Sequence, residues 1–177
     1  AEAARGAVWL AVAQYRTASL IITDVPGGPG DKGADAIAAR VTGLGMEMAE
    51  TVLCAHEEAA LAAAITGAKG EIVLILTASA TSDPFDTAPQ ALRAAGGMVE
   101  RFGMPVDPGN LLFLGRLGSR PVIGLPGSAR SPVLHGADWV LARVACGLPC
   151  GAAASTAQGW PRLRRKKPGS QVVGGML

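Results

Sequence analysis

The 177-residue chain carries 16 Lys and Arg against 14 Asp and Glu, but five of those bases (Arg162, Arg164, Arg165, Lys166, Lys167) crowd into residues 151–177, where no acid occurs. The remainder holds 11 basic against 14 acidic residues, minus three, which with one Tyr, three Phe and three Trp excludes a basic or base-stacking nucleic-acid surface. No apolar run reaches the roughly 18 residues of a membrane span, and nearly half the chain is hydrophobic, enough to build a substantial core.

The opening AEAARGAVWLAVAQYR is interrupted by Gln14, Tyr15 and Arg16 and has no initiator Met, so it reads as the start of a piece cut from a longer protein, with the remnant of a processed signal peptide as the alternative. Val8 to Ala13 and Ala18 to Thr23 have strand character, the second with the continuous aliphatic run (Leu20, Ile21, Ile22) of a strand covered on both faces. The Gly/Pro loop VPGGPGD ends at Asp31, which is read as the cap of a helix running to Leu44. Met46 to Val52 alternates like a strand, and Glu57 to Thr66 is a helix with acids in its first turn, where they oppose the dipole favourably.

Ile72 to Leu76 is the most buried-looking strand, and it runs directly into TASATSDPFDTAP. Thr87 as cap, Pro89 in the first turn and Gly96-Gly97 as terminator define the next helix. Met98 to Phe102 is a further strand, and Leu111 to Leu125 reads as two strands turning at Gly118-Ser119. A last helix is expected from near Pro132 until Gly147 and Pro149 stop it. Strand and helix thus alternate before a hairpin, which predicts an α/β three-layer sandwich: a mostly parallel sheet, helices on both faces, and a C-terminal hairpin plus helix. The organisation expected is an extension with a short strand over 1–17, the α/β domain over 18–149 and a flexible basic tail over 150–177. Cys54, Cys146 and Cys150 have no zinc-like spacing and read as free thiols of a cytoplasmic protein.

In open α/β sheets, ligands bind beyond the carboxyl ends of the strands, where loops supply hydroxyls and helix N-termini supply free N–H groups. The segment from Thr77 to Asp86 occupies such a place: its hydroxyls suit a phosphate, and Asp83 and Asp86 suit Mg²⁺. The same residue types also serve any strand-to-helix turn, with no ligand at all. Residues 25–35 occupy the corresponding place after an earlier strand, without a phosphate-loop signature. PVDPGN (105–110) and GLPGSARSP (124–132) sit beside strands too, and Arg130 has the planar fork that grips an anion. His56 and His135 are read as surface or capping histidines rather than ligands of a metal.

From Ile72 to Gly147 the ordered pieces, above all MPVDPGNLLFLGRL and RPVIGLPGSARSP, resemble the molybdopterin-binding domain of molybdenum-cofactor biosynthesis. That domain is shared by molybdopterin adenylyltransferases and molybdenum insertases, and the likeness is nearest to the variant joined to a nucleotidyltransferase. It extends over residues 18–149. The resemblance implies binding of molybdopterin, or of nucleotide-linked molybdopterin, at the strand-end crevice, with Mg²⁺, as a step of cofactor biosynthesis. It implies a homo-oligomer and a nucleotidyltransferase partner domain, and no nucleic acid or membrane.

Carried onto this sequence, the resemblance makes Asp31, Asp83 and Asp86 the catalytic candidates, with Asp83 and Asp86 as metal ligands. Thr77, Ala78, Ser79, Thr81 and Ser82 form the first binding loop. Asp107, Gly109 and Asn110 form the second, and Pro126, Gly127, Ser128, Arg130 and Ser131 the third. The family's usual Gly-Gly pair is here Ala78-Ser79, two usual lysines are Asp107 and Asn110, and the acid opening the central strand is Glu71. Turnover and simple carriage of the pterin both fit these residues, as does an assembly protein that has kept only the fold.

Overall fold

The structure, a computed structural model, describes residues 11–104 and 107–150. Within them six strands, β1 (Thr17–Asp24), β2 (Glu47–Ala55), β3 (Ile72–Leu76), β4 (Met98–Phe102), β5 (Phe113–Leu117) and β6 (Arg120–Leu125), form one sheet in the order β2-β1-β3-β6-β5-β4. β2, β1, β3 and β6 run parallel, whereas β5 is antiparallel to both β6 and β4. Four helices, α1 (Ala34–Gly43), α2 (Glu58–Gly67), α3 (Thr87–Ala94) and α4 (Gly136–Ala145), cover it. The molecule is an α/β three-layer sandwich with a mostly parallel sheet.

The period-two geometry of a strand explains the layers. Leu20, Ile22, Leu74, Leu76 and Ile123 point to one face, where Ile37 and Val41 of α1 and Val140 and Leu141 of α4 close over them. Ile21, Val73, Ile75 and Val122 point to the other, against Leu61 and Ile65 of α2 and Leu92 of α3. Every residue of β3 is buried, because a central strand covered on both faces has no solvent side. β2, on the sheet edge, alternates exposed and half-buried residues instead.

Several boundaries differ from those read in the sequence. α1 begins at Ala34: the residue before it, Gly33, is left-handed at φ +97° and supplies the cap position, so Asp31 lies in the preceding turn and contributes only its carbonyl, to the Ala34 N–H at 2.9 Å. α3 begins at Thr87 with Asp86 in the cap position. The last helix starts at Gly136 rather than near Pro132, because Gly127–Arg130 first makes a 3₁₀ turn and His135, not Pro132, caps α4. Residues 11–13 lie in no strand; Val8 to Leu10, and the tail beyond Cys150, are outside the described residues.

Among the described residues no helix is long and apolar enough to cross a membrane. The parallel strands deliver Asp24, Ala55, Leu76 and Leu125 to one rim of the sheet. Because β5 runs against β6, the 103–112 connection between β4 and β5 arrives at that rim as well.

Candidate functional site

The loops after β1, β3 and β6 are tied together by one side chain. Arg130, the last residue of the 3₁₀ turn, donates from Nη1 to the carbonyl of Lys32 in the first loop and from Nη2 to the carbonyl of Thr77 in the second, at 2.8 Å. The backbone of Arg130 approaches the glycine loop so closely that a Cβ on Gly33 would stand 2.7 Å from Arg130 Cα. Burial pushes the Arg130 pKa down while the Asp24 carboxylate pushes it back up. Arginine stays charged through such a shift, and its fork has five donors, so a fixed cation stands at the rim with capacity beyond the two carbonyls.

Asp24 closes β1 and turns its carboxylate inward, where Oδ1 accepts from Gly30 N–H at 3.0 Å and holds the glycine loop in its curve. Next to it, Thr23 is fully buried and its Oγ1 accepts from the Ala78 N–H at 3.0 Å. The same oxygen lies 2.8 Å from Nδ1 of His56, and His56 Nε2 lies 3.1 Å from Oγ of the exposed Ser79. The β1–β2 pairing creates this contact: Asp24 stands opposite Ala55, so the next residue of β2's strand line, His56, lands beside the end of β1.

The 77–86 loop splits into an inner and an outer half. Thr77 and Thr81 are each only 6% exposed; Thr77 Oγ1 donates to the Ser79 carbonyl and lies 3.4 Å from Thr81 Oγ1, so both brace the loop from within. Further out, Asp83 Oδ1 accepts from Phe85 N–H at 2.7 Å and Asp86 Oδ2 from Ser82 N–H at 2.6 Å. Each carboxylate thus spends one oxygen on its own turn, a common use of Asp before a helix. Phe85 is 75% exposed beneath the Arg93 guanidinium, 5.5 Å from its ring centre.

The third loop is anchored by Arg40 of α1. Its Nε meets Asp138 Oδ1 at 2.6 Å, and its other nitrogens reach the carbonyls of Ala36, Ala129, Ser131 and Val133. Asp138 in turn accepts from the His135 N–H at 2.8 Å, while His135 Nδ1 accepts from the Ala137 N–H, a reciprocal cap that starts α4. Ser131 Oγ accepts from Val133 N–H, whereas Ser128 Oγ is buried with no partner among the described residues. Gly109 packs on this cap: at φ +114° it accepts no ordinary side chain, and its Cβ would stand 3.1 Å from Gly136 N. Asp107 and Asn110 flank it, exposed.

A family model described as a probable molybdopterin binding domain matches residues 17–144. The chain belongs to this molybdopterin-binding family. Among solved structures it is similar to the molybdopterin biosynthesis MoeA protein from Pyrococcus horikosii, with a TM-score of 0.57 at 23% identity, covering 76% of this chain and 36% of that one. That likeness is one of fold, and the chain spans about a third of that protein's length. No curated protein matches the sequence.

In this family member the sequence-derived residues divide by position. Ser79 and Arg130 share the strand-end rim with Asp24 and His56, Thr77 and Thr81 brace it from within, and Ser128, in the 3₁₀ turn that ends at Arg130, keeps its hydroxyl oxygen buried. Asp83 and Asp86 sit in the outer turn of the same loop, and Asp31, exposed, makes no side-chain hydrogen bond among the described residues. Gly109 lies against the start of α4, where the Pro108 carbonyl accepts from the Gly136 N–H; Asp107 and Asn110 stand exposed on either side, and the Asn110 carbonyl accepts from the Met104 N–H. Sequence reasoning missed Thr23, Asp24 and His56; the signal available was that TD and AH each end a strand pattern. It also missed Arg40, whose partner is 98 residues away.

No group of three or more His, Cys, Asp or Glu side chains converges on a metal-sized site among the described residues. Asp83 and Asp86 each retain one oxygen beyond the turn bonds, which fits Mg²⁺ as an ion that takes one or two carboxylates and completes its shell with water and phosphate. A cavity of about 260 Å³ lies elsewhere, among Tyr15, Leu114, Val144 and Pro149. Its lining has the carboxylate of Glu100 and no cation, so it does not suit an anion.

Proposed function

We propose that this domain holds the phosphate of molybdopterin, or of its nucleotide adduct, at the strand-end rim as a step of molybdenum-cofactor biosynthesis. The observation that carries the reading is Arg130, a cation fixed between the first and second loops with the unpaired hydroxyl of Ser128 two residues away. A charge held rigid before the ligand arrives loses little entropy on binding, and its hydrogen bonds to phosphate oxygens are charge-assisted. Membership of the family supports the choice of pterin over other phosphates.

Asp83 and Asp86 would hold Mg²⁺, which supplies charge neutralisation at a phosphate. Asp31 lies on the exposed turn opening α1, in reach of solvent-borne ligand. Chemistry at such a site is phosphoryl-type transfer, in which Arg130 and Ser128 stabilise the charge that develops. Carriage without turnover is favoured by one observation: each loop aspartate has one oxygen bonded to its own turn and only the other left for a metal. The same proposal places the protein in the cytoplasm with a nucleotidyltransferase partner, and assigns the exposed Val133 and Leu134, 67% and 61% accessible, to self-association.

Titration of the full chain with molybdopterin, with and without Mg²⁺ and ATP, with products read by mass spectrometry, tests the reading. Binding is expected in every case. Turnover that vanishes in D83N/D86N while binding survives marks an enzyme, binding without turnover in the intact protein marks a carrier, and absence of binding refutes the proposal.

A further inference from the structure

The hydrogen bonds that link Ala78, Thr23, His56 and Ser79 can run in one direction only at their start. The Ala78 N–H is a donor and nothing else, so Thr23 Oγ1 is its acceptor, at 3.0 Å. Thr23 is fully buried, which leaves its own hydrogen without water to turn to; the acceptor beside it is His56 Nδ1 at 2.8 Å. A histidine that accepts at Nδ1 carries its proton at Nε2. That N–H then faces Ser79 Oγ at 3.1 Å, and the Ser79 oxygen, having accepted, has its hydrogen left to point outward.

We propose that His56 is a positioning residue of the anion site, which passes the polarity of a backbone N–H through Thr23 to Ser79 and so fixes the Ser79 hydroxyl as a donor to a ligand oxygen. Hydrogen bonds in such a chain polarise one another in the same sense, so Ser79 is a better donor than an isolated serine. The consequence is selectivity. An anionic oxygen, which only accepts, takes up the Ser79 hydrogen; a ligand group that donates can use only the remaining lone pair of Ser79 and leaves that hydrogen without a partner. With Arg130 across the same loop, bonded to the Thr77 carbonyl, the site presents donors from two sides.

This inference rests on the anion-binding reading above, and two amide replacements separate the two. Asn places a hydrogen-bonding atom near the position of Nδ1 and Gln places one near Nε2. Molybdopterin and 6-hydroxymethylpterin, which has no phosphate, are the probes, measured by calorimetry with melting temperature followed in parallel. H56Q is expected to bind molybdopterin within about threefold of the wild type. H56N and S79A are expected to lose about tenfold or more, the size of one hydrogen bond to a charged group. H56N should melt close to the wild type, and the phosphate-free pterin should bind all four proteins equally. Nitrogen-15 spectra of the His56 ring should show the proton on Nε2.

If the wild type binds no molybdopterin, the anion reading fails, while the ring spectra still decide the direction of the chain. Wild-type binding with H56N and H56Q both unchanged, or a His56 proton found on Nδ1 alone, overturns the role given to His56 and leaves the anion reading standing. Equal losses of both pterins would reduce His56 to a structural support and overturn it likewise.

Discussion

Arg130 Nη2 donates to the Thr77 carbonyl across 2.8 Å, and this single bond joins the loop after β6 to the loop after β3. The same side chain reaches the loop after β1 through the Lys32 carbonyl, so its removal should both open the rim and delete its fixed cation. R130A is expected to weaken molybdopterin binding by about 10- to 100-fold, the range of a charge-assisted hydrogen bond. R130K should recover only part of it, since an ammonium lacks the planar fork that satisfies two carbonyls and an anion together. Calorimetric titration of the three proteins checks this; equal affinity in R130A would contradict it.

Gly33 allows that approach. Its φ of +97° is a conformation side chains rarely adopt, and a Cβ there would stand 2.7 Å from Arg130 Cα and 2.9 Å from Arg130 Cβ. G33A is expected to cost at least about 1–2 kcal/mol from the backbone conformation alone, and to lower ligand affinity because Arg130 must shift. Urea unfolding and titration of the same variant should show both losses, whereas a similar replacement at exposed Gly67, where nothing lies within 4 Å of an added Cβ, should show little.

The Arg40–Asp138 pair has side chains only 12% and 13% exposed, and Arg40 also holds four carbonyls. Removing one partner leaves a buried charge uncompensated, for which about 3–5 kcal/mol is the usual loss. R40A and D138A should each approach that figure in urea unfolding, and the double variant should cost clearly less than the two losses combined.

His135 gives the fold a pH dependence. Burial holds its pKa below the ordinary 6.5, with Asp138 pulling it up and Arg40 pushing it further down. Its Nδ1 accepts from the Ala137 N–H at 3.3 Å, which requires the neutral ring. Above pH 6.5 neither the folded nor the unfolded chain protonates this group and it adds no pH dependence. As pH falls below 6.5 the unfolded chain takes up a proton that the folded one refuses, so stability declines until the folded pKa is reached and levels off beneath it. H135N keeps an acceptor for the cap and does not titrate, so its unfolding midpoint should vary less with pH over that window.

The layers were legible from the sequence because IVLIL, short, β-branched and bounded by Gly70 and a polar loop, reads as a strand covered on both faces, and because PG, GG and GS pairs mark where elements end. The rim itself was legible for the same reason: parallel strands put every loop that follows them on one side. What could not be read was contact between loops. Asp31 looked like a helix cap, yet the close packing of Arg130 demands a glycine in the left-handed region and moves the cap to Gly33. His56 looked like a surface histidine because its partners come from β1 and from the loop after β3, and only the pairing of Asp24 with Ala55 brings them together. Pairs such as Arg40 and Asp138, 98 residues apart, leave no periodic trace in a single chain.

Backbone amide shifts during titration with molybdopterin test the central claim most directly. The account predicts that Gly30, Ala78, Ser79, Ser128 and Arg130 move together and saturably, with the residues lining the Tyr15–Val144 cavity unchanged. Shifts confined to that cavity, or a spectrum that does not respond, would contradict it.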